Sequence, residues 1–180
     1  MMKKVIVIST SLRAGSNSET LAQEFARGAA EAGHSVTTIT LAGKRLEFCR
    51  GCLACQKLGR CVVDDDANAI AEQVLGSDVV VFATPVYYYG MSGQMKTLLD
   101  RMNSLYPKDY RFRAVYLVAS AAEDTPDALE RTVGGLTGWV ECFEKARLAG
   151  VVQGHGNSNP GDVKSNPAQL AAAYAAGAAV

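Results

Sequence analysis

An excess of charge of either sign is missing: 18 Lys+Arg stand against 18 Asp+Glu, the formal net charge is +0, and no basic block interrupts the chain. Affinity for nucleic-acid phosphates comes mainly from clustered Lys and Arg that displace counterions, so the composition argues against a nucleic-acid partner and against a membrane-surface role. Long apolar runs are missing too. Runs such as Val5 to Ile8 and Val79 to Ala83 are far short of the roughly 20 residues that a spanning helix requires. Met1-Met2-Lys3-Lys4 leads directly into a strand-like run with no leader pattern, so a soluble, cytoplasmic protein is expected. No internal repeat, low-complexity linker or composition break divides the chain. Its 180 residues, 48% hydrophobic and 20% charged, are expected to form a single domain over residues 1–180 around one sizeable core.

What is present is an alternation of short β-rich runs with helical patterns, the layout of an α/β sheet with helical crossovers. Five strands are read at Lys3 to Ile8, Ser35 to Leu41, Asp78 to Ala83, Phe112 to Ala119 and Arg147 to Val152. The continuous apolar runs Val5-Ile6-Val7-Ile8 and Val79-Val80-Val81-Phe82 suit central strands covered on both faces. The threonines of Val36-Thr37-Thr38-Ile39-Thr40 suit an edge. Helices are read over Ser18 to Ala32, Ala67 to Leu75 behind capping aspartates, Ser92 to Asn103, a long segment from Pro126 to near Lys145, and Pro167 to Ala178. The last is alanine-rich, which predicts close packing with little apolar area.

The first βα loop, Ser9 to Ser18, carries Ser11, Arg13, Gly15, Ser16, Asn17 and Ser18 ahead of a helix. Backbone amides at a helix N-terminus, several hydroxyls and an arginine make an anion site, whereas capping alone needs one such residue. No Walker lysine and no dinucleotide glycine fingerprint is present, so a mononucleotide phosphate fits better than ATP or an NAD pyrophosphate. After the third strand, Pro85, Val86, Tyr87, Tyr88, Tyr89 and Gly90 supply stacking surface and close backbone approach for a planar ligand; the alternative is tyrosines divided between core and surface.

Four of five cysteines bunch as Cys49, Cys52, Cys55 and Cys61, a C-x2-C-x2-C-x5-C run close to the ferredoxin type that holds cubane clusters. A 4Fe-4S cluster, a four-thiolate zinc site and reduced packing cysteines all satisfy that spacing. His34 and His155 have no spaced partners and read as surface and loop residues, and Lys96, Asp100 and Arg101 as the polar face and surface pairing of the third crossover helix. No Ser-His-Asp arrangement is evident.

Ser11-x-Arg13-x-Gly15-x-Asn17-Ser18, Cys49-x-Gly51-Cys52-x-x-Cys55 with Gly59-x-Cys61-x-x-Asp64-Asp65, and Thr84-Pro85-Val86-Tyr87 followed by Ser92-Gly93-Gln94-x-Lys96 and Asp100-Arg101 together resemble the NADPH-dependent FMN reductase and iron-sulfur flavoprotein branch of the flavodoxin-like superfamily. The resemblance implies a flavodoxin-like three-layer α/β sandwich with a five-stranded parallel sheet in order 2-1-3-4-5, noncovalent FMN, and an oxidoreductase passing electrons from NAD(P)H to a small-molecule or protein acceptor. It implies FMN contacts from Ser11, Arg13, Ser16, Asn17, Ser18, Pro85, Val86, Tyr87, Tyr88, Gly90, Ser120 and Ala121. It departs in two places: Thr10 stands where the family has glycine, and Ser120-Ala121-Ala122-Glu123-Asp124 lacks the third loop's glycine. The alternative within the branch is a non-enzymatic electron shuttle, against which the balanced charge speaks, since shuttles gain from an acidic steering field. A homodimer or homotetramer is expected, with the loop Met102 to Phe112, bearing Tyr106 and Tyr110, long enough to cover a neighbour's site.

Overall fold

The computed structural model describes residues 1–180, the side chain of Pro126 excepted. Six strands and six helices follow in the order β1 (Lys4–Ser9), α1 (Asn17–Glu31), β2 (Ser35–Thr40), α2 (Ala54–Leu58), α3 (Asp66–Leu75), β3 (Val79–Tyr87), β4 (Gly90–Met91), α4 (Gly93–Arg101), β5 (Ala114–Ser120), α5 (Glu130–Glu141), β6 (Arg147–Gly154) and α6 (Pro167–Ala178). The sheet runs β2-β1-β3-β5-β6, with every pair on that path parallel, and the two-residue β4 folds back antiparallel on the end of β3. Setting β4 aside, this is the order 2-1-3-4-5 of a flavodoxin-like sandwich.

Alternation along the central strands divides the core. Ile6, Ile8, Val80 and Phe82 point into the layer closed by α3, α4 and α5, while Val5, Val7, Val79 and Val81 point toward α1 and α6. That explains why both runs are apolar without interruption. The threonine-bearing β2 is an edge strand, largely exposed. On the α1 side, α6 lies so close that a Cβ at Gly28 would collide with the Tyr174 carbonyl and one at Gly177 with the Phe25 carbonyl. The alanine-rich helix therefore packs backbone to backbone, as its composition predicts. On the other face, Phe82, Tyr110, Phe112, Trp139 and Phe143 form a connected aromatic cluster.

The structure departs from the sequence reading in several places. The segment from Pro126 opens as a 3-10 turn (Pro126–Leu129), and its helix ends at Glu141. The loop from Met102 begins as a 3-10 turn and divides its two tyrosines: Tyr106 is 58% exposed, whereas Tyr110 is buried against Phe112 and Phe143, its hydroxyl accepting from the Lys145 amide at 2.9 Å. His34 is a tie, its Nδ1 accepting from the Lys3 amide at 3.2 Å and its Nε2 lying 2.9 Å from the Val180 carbonyl. Arg101 is not part of a solvated face. Lys96 and Asp100 do pair on the surface, at 2.6 Å, but Arg101 turns inward and meets Asp65 with both side chains at 0% exposure.

Candidate functional site

At the C-terminal ends of β1, β3 and β5, where the strand order reverses, lies a cleft of about 190 Å³. Open α/β sheets bind ligands at this place because the loops after neighbouring strands diverge there. Ser11, Arg13, Ser16, Asn17 and Ser18 line it from the first loop, Pro85, Val86 and Tyr87 from the end of β3, and Ser120 from β5. Nine of the twelve residues singled out from the sequence thus meet in one cavity.

The two principal loops are locked together. Thr10, in the position of the expected glycine, is fully buried; its amide and hydroxyl both donate to the Ala83 carbonyl, at 2.8 and 2.9 Å, and its Oγ1 lies 3.1 Å from Ser92 Oγ. Ser92 caps α4 by accepting from the Met95 amide. A glycine would keep the amide bond but lose both hydroxyl contacts, so the departure at residue 10 has a structural reason. In the same loop Ser16 caps α1, accepting from the Glu19 amide at 3.1 Å, and its hydroxyl lies 3.4 Å from Ser18 Oγ. The result is a serine-lined helix N-terminus facing the cleft, suited to an anion.

Asn17 and Arg13 have internal partners. Asn17 donates to the Asn157 and Asn159 carbonyls, at 3.3 and 2.8 Å, and accepts from the Val163 amide at 3.2 Å. The Arg13 guanidinium donates to the Ser158 carbonyl at 3.2 Å while remaining exposed. Both side chains draw the turn after β6 against the cleft, and this brings in residues the sequence reading missed: Asn157, Ser158 and Pro160, with Ala122 beside them. The available signal was the run between Gly154 and Gly161, with Asn157 and Asn159, directly after β6. At the cleft wall Ser120 Oγ is buried without a hydrogen-bond partner, a donor held ready for a ligand.

Tyr88, Gly90 and Ala121 fall outside the cavity lining. β3 extends to Tyr87, past the expected end at Ala83, and turns through Tyr88 and Tyr89 (φ +50° and +63°) into β4, with Tyr87 paired to Gly90. Two positive φ angles form the two-residue hairpin turn normally given to Asn-Gly. Tyr88 is 99% exposed at its tip, and Tyr89 is held by Arg131, 5.7 Å above its ring. Ala121 belongs to the core, while its backbone holds Gly154 and Asn157.

The cysteine segment is a closed loop with a charged base. The Arg101 guanidinium takes both Asp65 oxygens, at 2.6 and 2.8 Å, and also donates to the Glu47 and Val63 carbonyls, at 2.7 and 3.1 Å. Burial by itself would raise the Asp65 carboxyl, but the hydrogen bonds from Arg101 and from the Glu47 and Ala67 amides hold it below its ordinary value. Within the loop the backbone turns left-handed at Gly51, Leu53 and Gly59 around the short α2, which is too brief to show periodicity in the sequence. Cys55 Sγ accepts from Asn103 at 3.4 Å, Cys61 is fixed through its backbone by Asn68, and Cys49 and Cys52 are exposed. Among the described residues, no three Cys, His, Asp or Glu side chains form a metal-binding group. The four thiols, close in sequence, are not gathered into such a group in this arrangement.

Sheet order and the serine-lined cleft at the switch point define a flavodoxin-like α/β protein. The chain belongs to the NADPH-dependent FMN reductase family, whose model matches residues 3–140. It is similar to an iron-sulfur flavoprotein of Methanosarcina thermophila, 28% identical over 167 residues, 92% of this chain and 84% of that protein. An iron-sulfur flavoprotein of Methanocaldococcus jannaschii is 38% identical over 102 residues, 57% of this chain; the match spans about half of that relative, 53% of its length. In fold, the chain resembles an NAD(P)H:quinone oxidoreductase from Methanothermobacter marburgensis, with a TM-score of 0.78 and 18% identity over 99% of this chain and 96% of that one. No helix is long and apolar enough to cross a membrane among the described residues.

Proposed function

We propose that the switch-point cleft holds FMN and that the protein is a cytoplasmic NAD(P)H-dependent FMN oxidoreductase serving a second acceptor, a quinone, a free flavin or an electron-carrier protein. The observation that carries this reading is the convergence of Ser11, Ser16 and Ser18 at a helix N-terminus with an apolar wall at Pro85, Val86 and Tyr87 and the partnerless hydroxyl of Ser120. Phosphate suits the first group and a flat ring system the second. Bound FMN would supply the redox chemistry, accepting a hydride from NAD(P)H and releasing two electrons onward.

The chain's own residues then hold and orient. Ser11, Ser16, Ser18 and the α1 amides bind the phosphate, with Arg13 adding charge from the rim. Val86 and Tyr87 exclude water from one ring face, and Ser120 donates to a polar edge. No protein acid or base is required, which accords with the absence of a Ser-His-Asp arrangement in the sequence. Asn17 contributes by building the wall at Asn157 to Pro160. A homodimer or homotetramer is part of this reading, because Tyr88 and Tyr106 are exposed aromatic side chains outside the cleft.

The test is titration of the purified protein with FMN, followed by NADH and NADPH oxidation with a quinone or free FMN as acceptor. Flavin binding and turnover support the proposal. A colourless protein that does not quench flavin fluorescence would remove its basis, and FMN binding with negligible turnover on either nucleotide would indicate an electron shuttle.

A further inference from the structure

A second cavity, of about 380 Å³, lies next to the first and shares its loop: Ser11 and Arg13 line the cofactor cleft, and Leu12 between them lines this one. Its other walls include Leu46 and Phe48, from the segment after β2, and Gln94 and Thr97, from α4. Phe48 is 77% and Leu12 53% exposed, and together they leave an apolar patch open to a flat ligand at the cavity's rim. Among the described lining residues Lys44 alone is charged. Its Nζ lies 3.5 Å from Asp66 Oδ1 with both side chains well exposed; such a pair is weak and leaves ammonium protons for another anion.

We propose that this cavity takes the adenosine 2′-phosphate end of NADPH, with the adenine on Phe48 and the 2′-phosphate at Lys44. The inference rests on the reading of the neighbouring cleft as the FMN site, since the nicotinamide end must reach the flavin there. Three observations select this occupant. The volume suits a nucleoside, the ring and leucines suit a base, and a lone cation on an otherwise uncharged wall complements the group that distinguishes NADPH from NADH. The shared Leu12 loop makes the two cavities neighbours, as the two halves of one dinucleotide require. Lys44 and Phe48 would thereby set nucleotide preference.

The experiment uses FMN-loaded wild-type protein and the Lys44→Ala, Lys44→Arg and Phe48→Ala variants. Isothermal titration calorimetry compares adenosine 2′,5′-bisphosphate with adenosine 5′-monophosphate, and kinetics give the NADPH:NADH ratio of kcat/KM. Lys44→Ala is expected to weaken the bisphosphate about tenfold, the scale of one charge-assisted contact, to leave the monophosphate unchanged and to lower the kinetic ratio by a similar factor. Lys44→Arg should restore most of the discrimination, and Phe48→Ala should weaken both adenosine phosphates. Wild-type protein that binds the two equally, or Lys44→Ala that retains the difference, would overturn the proposal. So would a Phe48→Ala variant that dissociates into monomers with nucleotide binding intact, because the patch would then belong to a second copy. A protein that binds FMN yet fails these tests loses the subsite alone; one that binds no FMN loses the parent reading as well.

Discussion

Asp65 does three things at once: it caps α3 through the Ala67 amide, accepts from the Glu47 amide and pairs with Arg101, closing the base of the cysteine loop. Removing one partner of a buried pair strands the other, so Asp65→Asn or Arg101→Met should cost about 3 to 5 kcal/mol, measured by urea denaturation. The folded Asp65 carboxyl titrates below its unfolded value of about 3.9. Its stabilisation is therefore fully present above that pH and is lost as the pH falls through the folded value. Wild-type stability should drop as the pH falls below about 4, more steeply than that of Asp65→Asn; parallel profiles would contradict the assignment. At the cleft rim Arg13 is exposed, so Arg13→Ala should weaken FMN binding by about 1 to 2 kcal/mol, below the value of a desolvated charge-assisted bond, as read by flavin fluorescence. Arg101 could not be placed from sequence because spacing rules see only partners on the same helix, and Asp65 lies 36 residues away.

The α1–α6 contact depends on two glycines for close approach rather than for conformation. Gly177→Ala should push α6 off the Phe25 carbonyl at a cost of about 1 to 3 kcal/mol, lowering Tm by roughly 3 to 10 °C for a chain of this length. The β3–β4 turn offers the opposite experiment. Replacing Tyr88-Tyr89 by Asn-Gly should raise stability by about 1 to 2 kcal/mol, because tyrosine is strained at positive φ; unchanged Tm would mean that the Arg131–Tyr89 contact offsets the strain. The central strands were legible because Val5 to Ile8 and Val79 to Phe82 serve two cores at once, whereas the strand order followed only from the family resemblance. The hairpin was not, since three consecutive tyrosines lack the turn residues that announce one. Thr10 read as a departure until its two bonds to Ala83 made it a fastening.

Across the whole molecule, one cavity gathers loops from both halves of the sheet, and the serines of the first loop were legible as an anion site because capping needs far fewer hydroxyls. The turn after β6 was not legible as its wall, because the asparagine contacts that hold it span 140 residues or more. The path of the cysteine loop was likewise hidden, for spacing counts residues and says nothing of left-handed turns at Gly51, Leu53 and Gly59. The central claim is that this cavity is a flavin site. It is tested most directly by titrating FMN against the wild-type protein and Ser16→Val, following flavin fluorescence. The account predicts saturable quenching at one FMN per chain, weakened at least tenfold by Ser16→Val with the fold retained by circular dichroism; no quenching by the wild type, or equal affinity in the two proteins, would contradict it.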